Sequence, residues 1–153
     1  MDSTMQASER ELVITRVVNA PRELVWQAWN DPQHVSSWWG PNGFSTTTYS
    51  KEVRVGGEWR FTMHGPDGTD YENRIVYTAV EQPARLAYDH FGAGDNESPH
   101  FKASTEFTEV AGGTEITLRM VFPTAQQRDA VAEYAIPGGQ QTLARFAQHV
   151  EQR

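Results

Sequence analysis

The feature that most constrains the fold of this chain is the alternation of apolar and polar residues between residues 44 and 122. In the segment EWRFTMH (58–64), for example, Trp59, Phe61 and Met63 alternate with polar side chains. A period of two is typical of a β-strand whose two faces meet different surroundings. Glycine-rich turns separate successive segments, and such turns join antiparallel neighbours. The pattern predicts a sheet of about six to seven antiparallel strands.

Two short helices are predicted to follow the first strand, ELVITRVV (11–18). The segment PRELVWQAW (21–29) opens with a proline, which suits a helix start, and places its apolar residues on one helical face. A second helix begins at Asp31, which can cap it, and ends before Gly40. These helices lead the chain from the first strand into the rest of the sheet.

The C-terminal segment returns to helical character. We expect Pro137-Gly138-Gly139 to interrupt it, leaving a short helix or turn at 125–134 and a longer helix at 140–152. A curved sheet needs a cover for its concave face, and this longer helix is the element that can supply it. The prediction is a single α+β domain over residues 11–153, wrapped around the C-terminal helix and preceded by a flexible leader at 1–10. Because a helix and a bent sheet do not mesh along their whole length, a cavity is expected between them.

The composition excludes several classes of function. The 153 residues include no cysteine, which rules out disulfides and thiol chemistry and is consistent with the cytoplasm. Thirteen basic and 20 acidic residues give a net charge of −7, which disfavours nucleic acids and anionic membranes as partners. No segment resembles a signal peptide or a membrane span. We therefore expect a soluble cytoplasmic protein, either a monomer or a homodimer.

Motifs for catalysis and cofactor binding are missing from the sequence. It contains no nucleophile elbow, P-loop or dinucleotide-binding glycine pattern, and its histidines lack the spacing of metal ligands. We predict no metal and no cofactor, and we assign no catalytic residue. An enzyme of this kind would have to work through acid–base residues inside the cavity.

The adjacent tryptophans Trp38 and Trp39 stand directly before a Gly-Pro-Asn-Gly turn. Neighbouring residues on a helix point about 100° apart, so both rings cannot lie equally deep in one apolar stripe. We predict that one ring belongs to the core and that the other borders the mouth of the cavity. Plain core packing could also account for both, because each buried aromatic ring contributes strongly to stability.

The inward strand faces and the last helix carry the candidate ligand contacts. In a sheet wrapped around a helix, the same concave face forms both core and pocket lining. One or two polar groups, such as His64, Tyr71, Tyr88 or His90, could orient a ligand there. The predicted cavity-lining residues are Trp38, Trp39, Phe44, Trp59, Phe61, Met63, Tyr71, Tyr88, His90, Phe101, Phe107, Met120, Phe122, Leu143 and Phe146.

Three segments resemble a known family: ITRVVNAPRELVWQAWNDPQHVSSWWGPNGF, VGGEWRFTMHGPDGTDYENRIVY and TLARFAQHV. The chain is similar to the homologues of the activator of heat-shock protein 90 ATPase, within the START and birch-pollen-allergen helix-grip superfamily. The resemblance implies a helix-grip fold, a cavity that in relatives holds lipids, hormones or polyketides, and a link to the stress response. This chain departs from the family pattern at Gly139, where relatives usually have tryptophan, and at Ile75, where they often have glycine.

Three functions remain open. The favoured one is binding of a small, mostly apolar organic molecule, such as a lipid, a polyketide or an aromatic compound. The second is a cavity enzyme of the cyclase, dehydratase or hydrolase type, with histidine or a carboxylate as general base. The third is an interaction protein with a chaperone as partner, which would need an exposed aromatic patch around residues 38–44.

Overall fold

The computed structural model describes residues 9–91 and 100–151. These residues confirm the predicted α+β helix-grip fold, a curved antiparallel sheet around a long C-terminal helix. Residues 1–8, which belong to the predicted leader, and residues 92–99 lie outside the described residues. In chain order the elements are β1 Glu11–Val18, α1 Arg22–Asn30, α2 Pro32–Trp38, β2 Ser45–Lys51, β3 Glu58–His64, β4 Asp70–Glu81, β5 Arg85–Phe91, β6 Phe101–Val110, β7 Gly113–Val121 and α3 Ala125–Glu151.

The seven strands form one sheet in the order β1-β7-β6-β5-β4-β3-β2, and every neighbouring pair is antiparallel. Consecutive strands from β2 to β7 are therefore neighbours, as expected for hairpins, while β1 returns to pair with β7. The register shifts at Thr48–Ser50 and at Tyr77–Ala79. Such irregularities bend a strand and increase its twist, which helps the sheet to curve around α3.

The two short helices begin and end close to their predicted limits. Asp31 caps α2, because its Oδ1 accepts a hydrogen bond of 2.8 Å from the backbone N–H of Gln33. Proline occupies the first turn of α2, where no backbone donor is needed. The helix ends at Trp38, and Trp39 already has extended backbone angles. This change of backbone direction separates the two adjacent tryptophan rings.

The predicted interruption of the last helix is wrong, because α3 is continuous from Ala125 to Glu151 with Pro137 inside it. Proline removes the hydrogen bond that its N–H would give to the carbonyl of Glu133. Both Pro137 and Glu133 are exposed, so water can bond that carbonyl instead. Neither Gly138 nor Gly139 adopts a positive φ, so the glycines continue the helix rather than break it.

The two halves of α3 differ in burial. Its buried residues all lie in the C-terminal half and are Thr142, Leu143, Phe146, Ala147 and Val150. The N-terminal half, residues 125–140, is exposed or half-buried throughout. None of the helices among the described residues combines the length and the apolar character that crossing a membrane requires.

Candidate functional site

A cavity of about 350 Å³ lies between the concave face of the sheet and the N-terminal half of α3. Strands β3, β5, β6 and β7 supply its floor, α3 supplies one wall, and the turn after α2 supplies the end wall. Its lining residues are Trp39, Gly40, Pro41, Phe61, Met63, Tyr88, His90, Phe101, Ala103, Ser104, Leu118, Arg119, Met120, Val131, Tyr134, Ala135, Gly138, Gly139 and Thr142. Most of these residues are apolar, as is usual for sites that bind small organic molecules.

The α3 wall is built mainly from small side chains. The contributing residues 131, 134, 135, 138, 139 and 142 recur at helical spacing, so they form one stripe that faces the sheet. Ala135, Gly138 and Gly139 project little or nothing from the helix, and the space that larger residues would fill stays open. Tyr134 is 74% exposed and lies at the rim of the cavity.

The turn after α2 is held against α3 by polar contacts. Arg145 Nη1 donates hydrogen bonds of 2.9 Å to the carbonyl oxygens of Gly40 and Pro41. Gln141 Oε1 accepts a 3.0 Å hydrogen bond from the backbone N–H of Asn42. Gly40 has a φ of +103°, and a Cβ there would come within 3.0 Å of Met63 Cε. Glycine therefore allows the turn to close tightly over the cavity wall.

The structure places some of the predicted site residues on the cavity wall. They share the concave face of the sheet or the end of α2, and they are Trp39, Phe61, Met63, Tyr88, His90, Phe101 and Met120. Trp39 is half-buried and meets the Trp59 ring edge-on at a centroid distance of 4.9 Å. It thus stands between the cavity and the aromatic core behind it.

Several other predicted residues pack away from the cavity. We call the cluster of Trp26, Trp29, Trp38, Phe107 and Phe146 the filled end of the domain. Trp38 is fully buried there, with centroid distances of 4.6 Å to Trp29 and 4.7 Å to Phe146. Its indole N–H donates a 3.2 Å hydrogen bond to the carbonyl of Ala28. Trp38, Phe107, Phe146 and the adjacent Leu143 are therefore core residues, because aromatic partners fill the space around them.

The remaining predicted residues lie behind or beside the cavity wall. Trp59 stacks under Phe61 at 4.0 Å, and Phe122 packs against Phe101 at 5.3 Å. Phe44 is half-buried next to Tyr71, whose ring is 48% exposed. None of these four lines the cavity.

Two polar side chains of β5 face into the cavity, Tyr88 and His90. Burial raises the pKa of the Tyr88 hydroxyl and lowers the pKa of His90 to about 4, with a smaller contribution to the latter from His100. Both groups are therefore neutral at pH 7. Within the described part of the chain, His90 Nδ1 is fully enclosed and has no hydrogen-bond partner. The His90 ring stacks on Phe101 at a centroid distance of 4.6 Å.

The other proposed polar handles point elsewhere. His64 lies on the outer face of the sheet, where its Nε2 is 2.8 Å from Thr47 Oγ1 and its Nδ1 is 2.8 Å from Asp70 Oδ1. Tyr71 shares the face of its cross-strand partner Met63 but is 48% exposed and does not line the cavity. Arg119 lines the cavity, but its guanidinium is turned away from it, with Nη1 3.4 Å from Glu11 Oε2. Among the described residues no group of three or more histidine or carboxylate side chains could hold a metal ion.

The sequence analysis missed the α3 wall and the small residues of the floor. The interruption expected at 137–139 separates residues 125–134 from the longer helix, so no helical face is predicted for the segment before it. The spacing of Val131, Tyr134, Ala135 and Thr142 would have identified that face if the helix had been taken as continuous. Ala103 and Leu118 belong to the same alternating rows, but the prediction favours aromatic side chains and methionine, and cavities are lined by other apolar residues as well.

The two departures from the family pattern have different consequences. Gly139 lines the cavity and also lies so close to β1 that a Cβ would meet the end of the Ile14 side chain. A glycine at this position lets the helix approach the sheet while leaving the cavity open. Ile75 is fully buried in the core and does not line the cavity.

Fold and cavity together define a helix-grip protein of the ligand-binding type. The model of the family described as "Activator of Hsp90 ATPase homolog 1-like protein" matches residues 19–151, and the chain belongs to this family. No curated protein matches the sequence.

Several solved structures share the fold. A crystal structure of a Nitrosomonas europaea protein has a TM-score of 0.82 at 24% identity and covers 95% of this chain and 96% of its own. An NMR structure of an Arthrobacter aurescens protein has a TM-score of 0.84 at 24% identity, and the match covers 96% of this chain and 89% of that protein. An NMR structure of an Aeromonas hydrophila protein, described as AHSA1-like, has a TM-score of 0.70 at 24% identity. The match covers 93% of this chain and 92% of that protein.

Proposed function

We propose that the protein binds a small, mostly apolar organic molecule, such as a lipid, a polyketide or an aromatic compound, in the cavity beside α3. The observation that carries the proposal is the cavity itself, about 350 Å³ of space lined mainly by apolar side chains. Apolar surface of this kind gains free energy when a ligand displaces water from it, at about 25 cal/mol per Å². The cytoplasmic location and the monomeric or homodimeric state remain predictions from the sequence.

A fluorescent probe can test this proposal directly. N-Phenyl-1-naphthylamine is neutral and apolar, and its emission rises when it leaves water. We expect saturable binding at one site per chain. The variant Ala103→Phe places a large ring between Tyr88 and Met120, its neighbours across the sheet, and should abolish this binding.

The matched control is Ala87→Phe, which makes the same change on the opposite face of the neighbouring strand. Ala87 is adjacent to Tyr88 in the chain and so points away from the cavity. This variant should bind the probe like the wild type. Absence of saturable binding to the wild type, or equal affinity in Ala103→Phe, would count against the proposal.

A second function is suggested by the position of two ionisable side chains, Tyr88 and His90, on the wall of the same cavity. In the cavity, neutral His90 could remove a proton next to a ketone carbonyl while the Tyr88 hydroxyl donates a hydrogen bond to the carbonyl oxygen. This cavity enzyme would exchange the α-protons of 2-tetralone for deuterium in D₂O, which NMR detects. Exchange no faster than in buffer, or unchanged in His90→Phe, would exclude this chemistry.

Interaction with a chaperone is less well supported. That hypothesis required an exposed aromatic patch around residues 38–44. In the described part of the chain Trp38 is fully buried, and Trp39 and Phe44 are each half-buried. Trp38 is therefore directed to the core and Trp39 to the cavity, while Phe44 packs beside Tyr71, so these three side chains do not form an exposed aromatic patch.

A further inference from the structure

The floor of the cavity carries two polar groups that the fold itself leaves without partners. Tyr88 and His90 alternate along β5, so their side chains project from the same face of the sheet. Among the described residues neither side chain makes a hydrogen bond, although the surroundings bury Tyr88 and enclose His90 Nδ1. Buried polar groups are almost always paired in folded proteins. Of these polar atoms only His90 Nδ1 is fully enclosed; the Tyr88 hydroxyl and His90 Nε2 are not, which points to a ligand in the cavity as their missing partner.

The surroundings of these groups define the charge of that partner. The one formally charged side chain on the described part of the wall is Arg119, and it alternates with Leu118 and Met120, which face the cavity. Its guanidinium is engaged with Glu11 on the outer face. A ligand carboxylate or ammonium would therefore be buried without a counter-charge, which is strongly unfavourable. The partner is uncharged.

The hydrogen-bonding capacity of the two side chains defines its chemistry. Tyr88 carries an O–H donor, and neutral His90 can accept at Nε2 when its proton is on Nδ1, because the enclosed Nδ1 leaves no room for a ligand atom. A hydroxyl group satisfies both at once, because its oxygen accepts from Tyr88 while its proton is donated to His90. An ether or an ester can only accept, and a hydrocarbon can do neither.

We propose that the ligand of this cavity is a neutral, mostly apolar alcohol or phenol whose hydroxyl group binds between Tyr88 and His90. This inference rests on the proposed binding function and narrows its ligand class. The hydroxyl is held on the floor at β5, and the apolar body of the ligand extends towards Met120 and the α3 wall.

A matched series of naphthalenes tests the inference by displacement of N-phenyl-1-naphthylamine. The four competitors are 2-naphthol, 2-methoxynaphthalene, 2-acetonaphthone and 2-naphthoate, which share one apolar body and differ in the polar group. We expect 2-naphthol to displace the probe at a concentration about 5- to 10-fold lower than the methyl ether, the gain of about one hydrogen bond. The carboxylate 2-naphthoate should be the weakest competitor.

Three variants show whether the preference comes from the two side chains. Tyr88→Phe and His90→Phe should each bring the ratio of naphthol to methyl ether affinity close to one. The control Tyr77→Phe removes the hydroxyl of the tyrosine that pairs with Tyr88 across the sheet. Tyr77 is not on the cavity wall, and its hydroxyl is bonded to Lys51, so this variant should keep the wild-type ratio.

Each outcome is decisive. If the probe binds but the ether, the ketone or the carboxylate competes as well as the naphthol, the hydroxyl inference is wrong while the binding function stands. If the wild-type ratio is high but Tyr77→Phe lowers it as much as Tyr88→Phe, the preference does not come from the cavity floor. If the probe does not bind at all, the proposed function itself fails. The wild-type series needs no variant and stays informative even if a variant does not fold.

Discussion

The two ends of the space between the sheet and α3 use similar side chains for different purposes. At the filled end, Trp29 has ring centroids at 4.6 Å from Trp38, 5.0 Å from Phe146 and 5.6 Å from Phe107. At the cavity, Phe101 and Met120 are only half-buried and face open space. Phe107 of the filled end and Phe101 and Met120 of the cavity lie on the concave face of one sheet, so the sheet alone does not decide which part is filled.

The difference comes from what covers the sheet. Helices α1 and α2 bring Trp26, Trp29 and Trp38 onto the filled end, and the C-terminal half of α3 adds Phe146. The N-terminal half of α3 instead presents Ala135 and two glycines to the cavity. One helix therefore stabilises the domain with its C-terminal half and leaves space for a ligand with its N-terminal half. The same substitution should have different effects at the two ends.

Truncating a phenylalanine should produce the largest difference in stability. Phe146→Ala removes a fully buried ring of the filled end and should lower the free energy of unfolding by about 3–5 kcal/mol. Phe101→Ala removes a half-buried ring that already borders a cavity and should cost about half of that or less. Urea unfolding followed by circular dichroism measures both. Equal losses would mean that the two ends are packed alike.

The pH dependence of stability should reveal the buried imidazole at the cavity. The pKa of His90 is about 4 in the folded state, against 6.5 for an ordinary histidine. Between these values the unfolded chain binds a proton that the folded state does not, so stability falls as the pH falls from 6.5 towards 4. The lowered pKa of His90 alone should reduce the free energy of unfolding by about 2 kcal/mol at pH 5 relative to neutral pH.

The variant His90→Phe separates the contribution of His90 to the pH dependence of stability from the contribution of the carboxylates. Its free energy of unfolding should fall less than that of the wild type between pH 7.5 and pH 5. His64→Phe is the control, because His64 lies on the outer face and has no part in the cavity. Parallel curves for His90→Phe and the wild type would show that His90 is not enclosed as described.

Replacing an alanine by leucine in each half of α3 tests the difference between the filled end and the cavity by adding volume rather than removing it. Ala147→Leu adds volume to the filled end, where Ala147 is 1% exposed, and should destabilise the protein by about 1–3 kcal/mol. Ala135→Leu adds the same volume to the cavity wall and should leave stability unchanged or slightly improved. It should also weaken binding of N-phenyl-1-naphthylamine. Thermal unfolding measures the stability of the two variants, and titration with the probe measures their binding.

Removing a tyrosine hydroxyl should give the smallest difference. Tyr77→Phe deletes the acceptor of a 2.8 Å hydrogen bond from Lys51 Nζ and should cost about 1 kcal/mol. Tyr88→Phe deletes a hydroxyl without a hydrogen bond to the described residues and should change the stability of the unliganded protein by less than about 0.5 kcal/mol. Chemical denaturation detects the former easily. A larger loss for Tyr88→Phe would mean that its hydroxyl is paired within the fold.

Most of the fold could be predicted from the sequence because it depends on periodicity. The alternation in the strands and the aspartate cap of α2 are local signals, and the structure follows them closely. The prediction failed at Pro137, where the local rule says that a helix ends. The exposed position of that turn lets water satisfy the lost hydrogen bond, so packing around the rest of α3 keeps the helix continuous.

The site could be predicted only in part. Alternation assigns Phe61, Tyr88 and Met120 to the concave face, but it cannot say how far along that face the packing is complete. That depends on where α1 and α2 lie over the sheet and on the size of the residues that α3 presents, both of which are long-range properties. The sequence therefore predicts the face on which a ligand could bind, whereas the structure locates the cavity on it.

The most direct measurement is a map of amide NMR shifts as N-phenyl-1-naphthylamine is added to the isotope-labelled protein. Binding in the cavity predicts the largest changes at Tyr88, His90 and Ala103 and along residues 131–142, with small changes at Phe107 and Phe146 in the filled end. Changes centred on the filled end or on the outer face around His64, or no saturable change at all, would contradict the assignment of this cavity as the binding site.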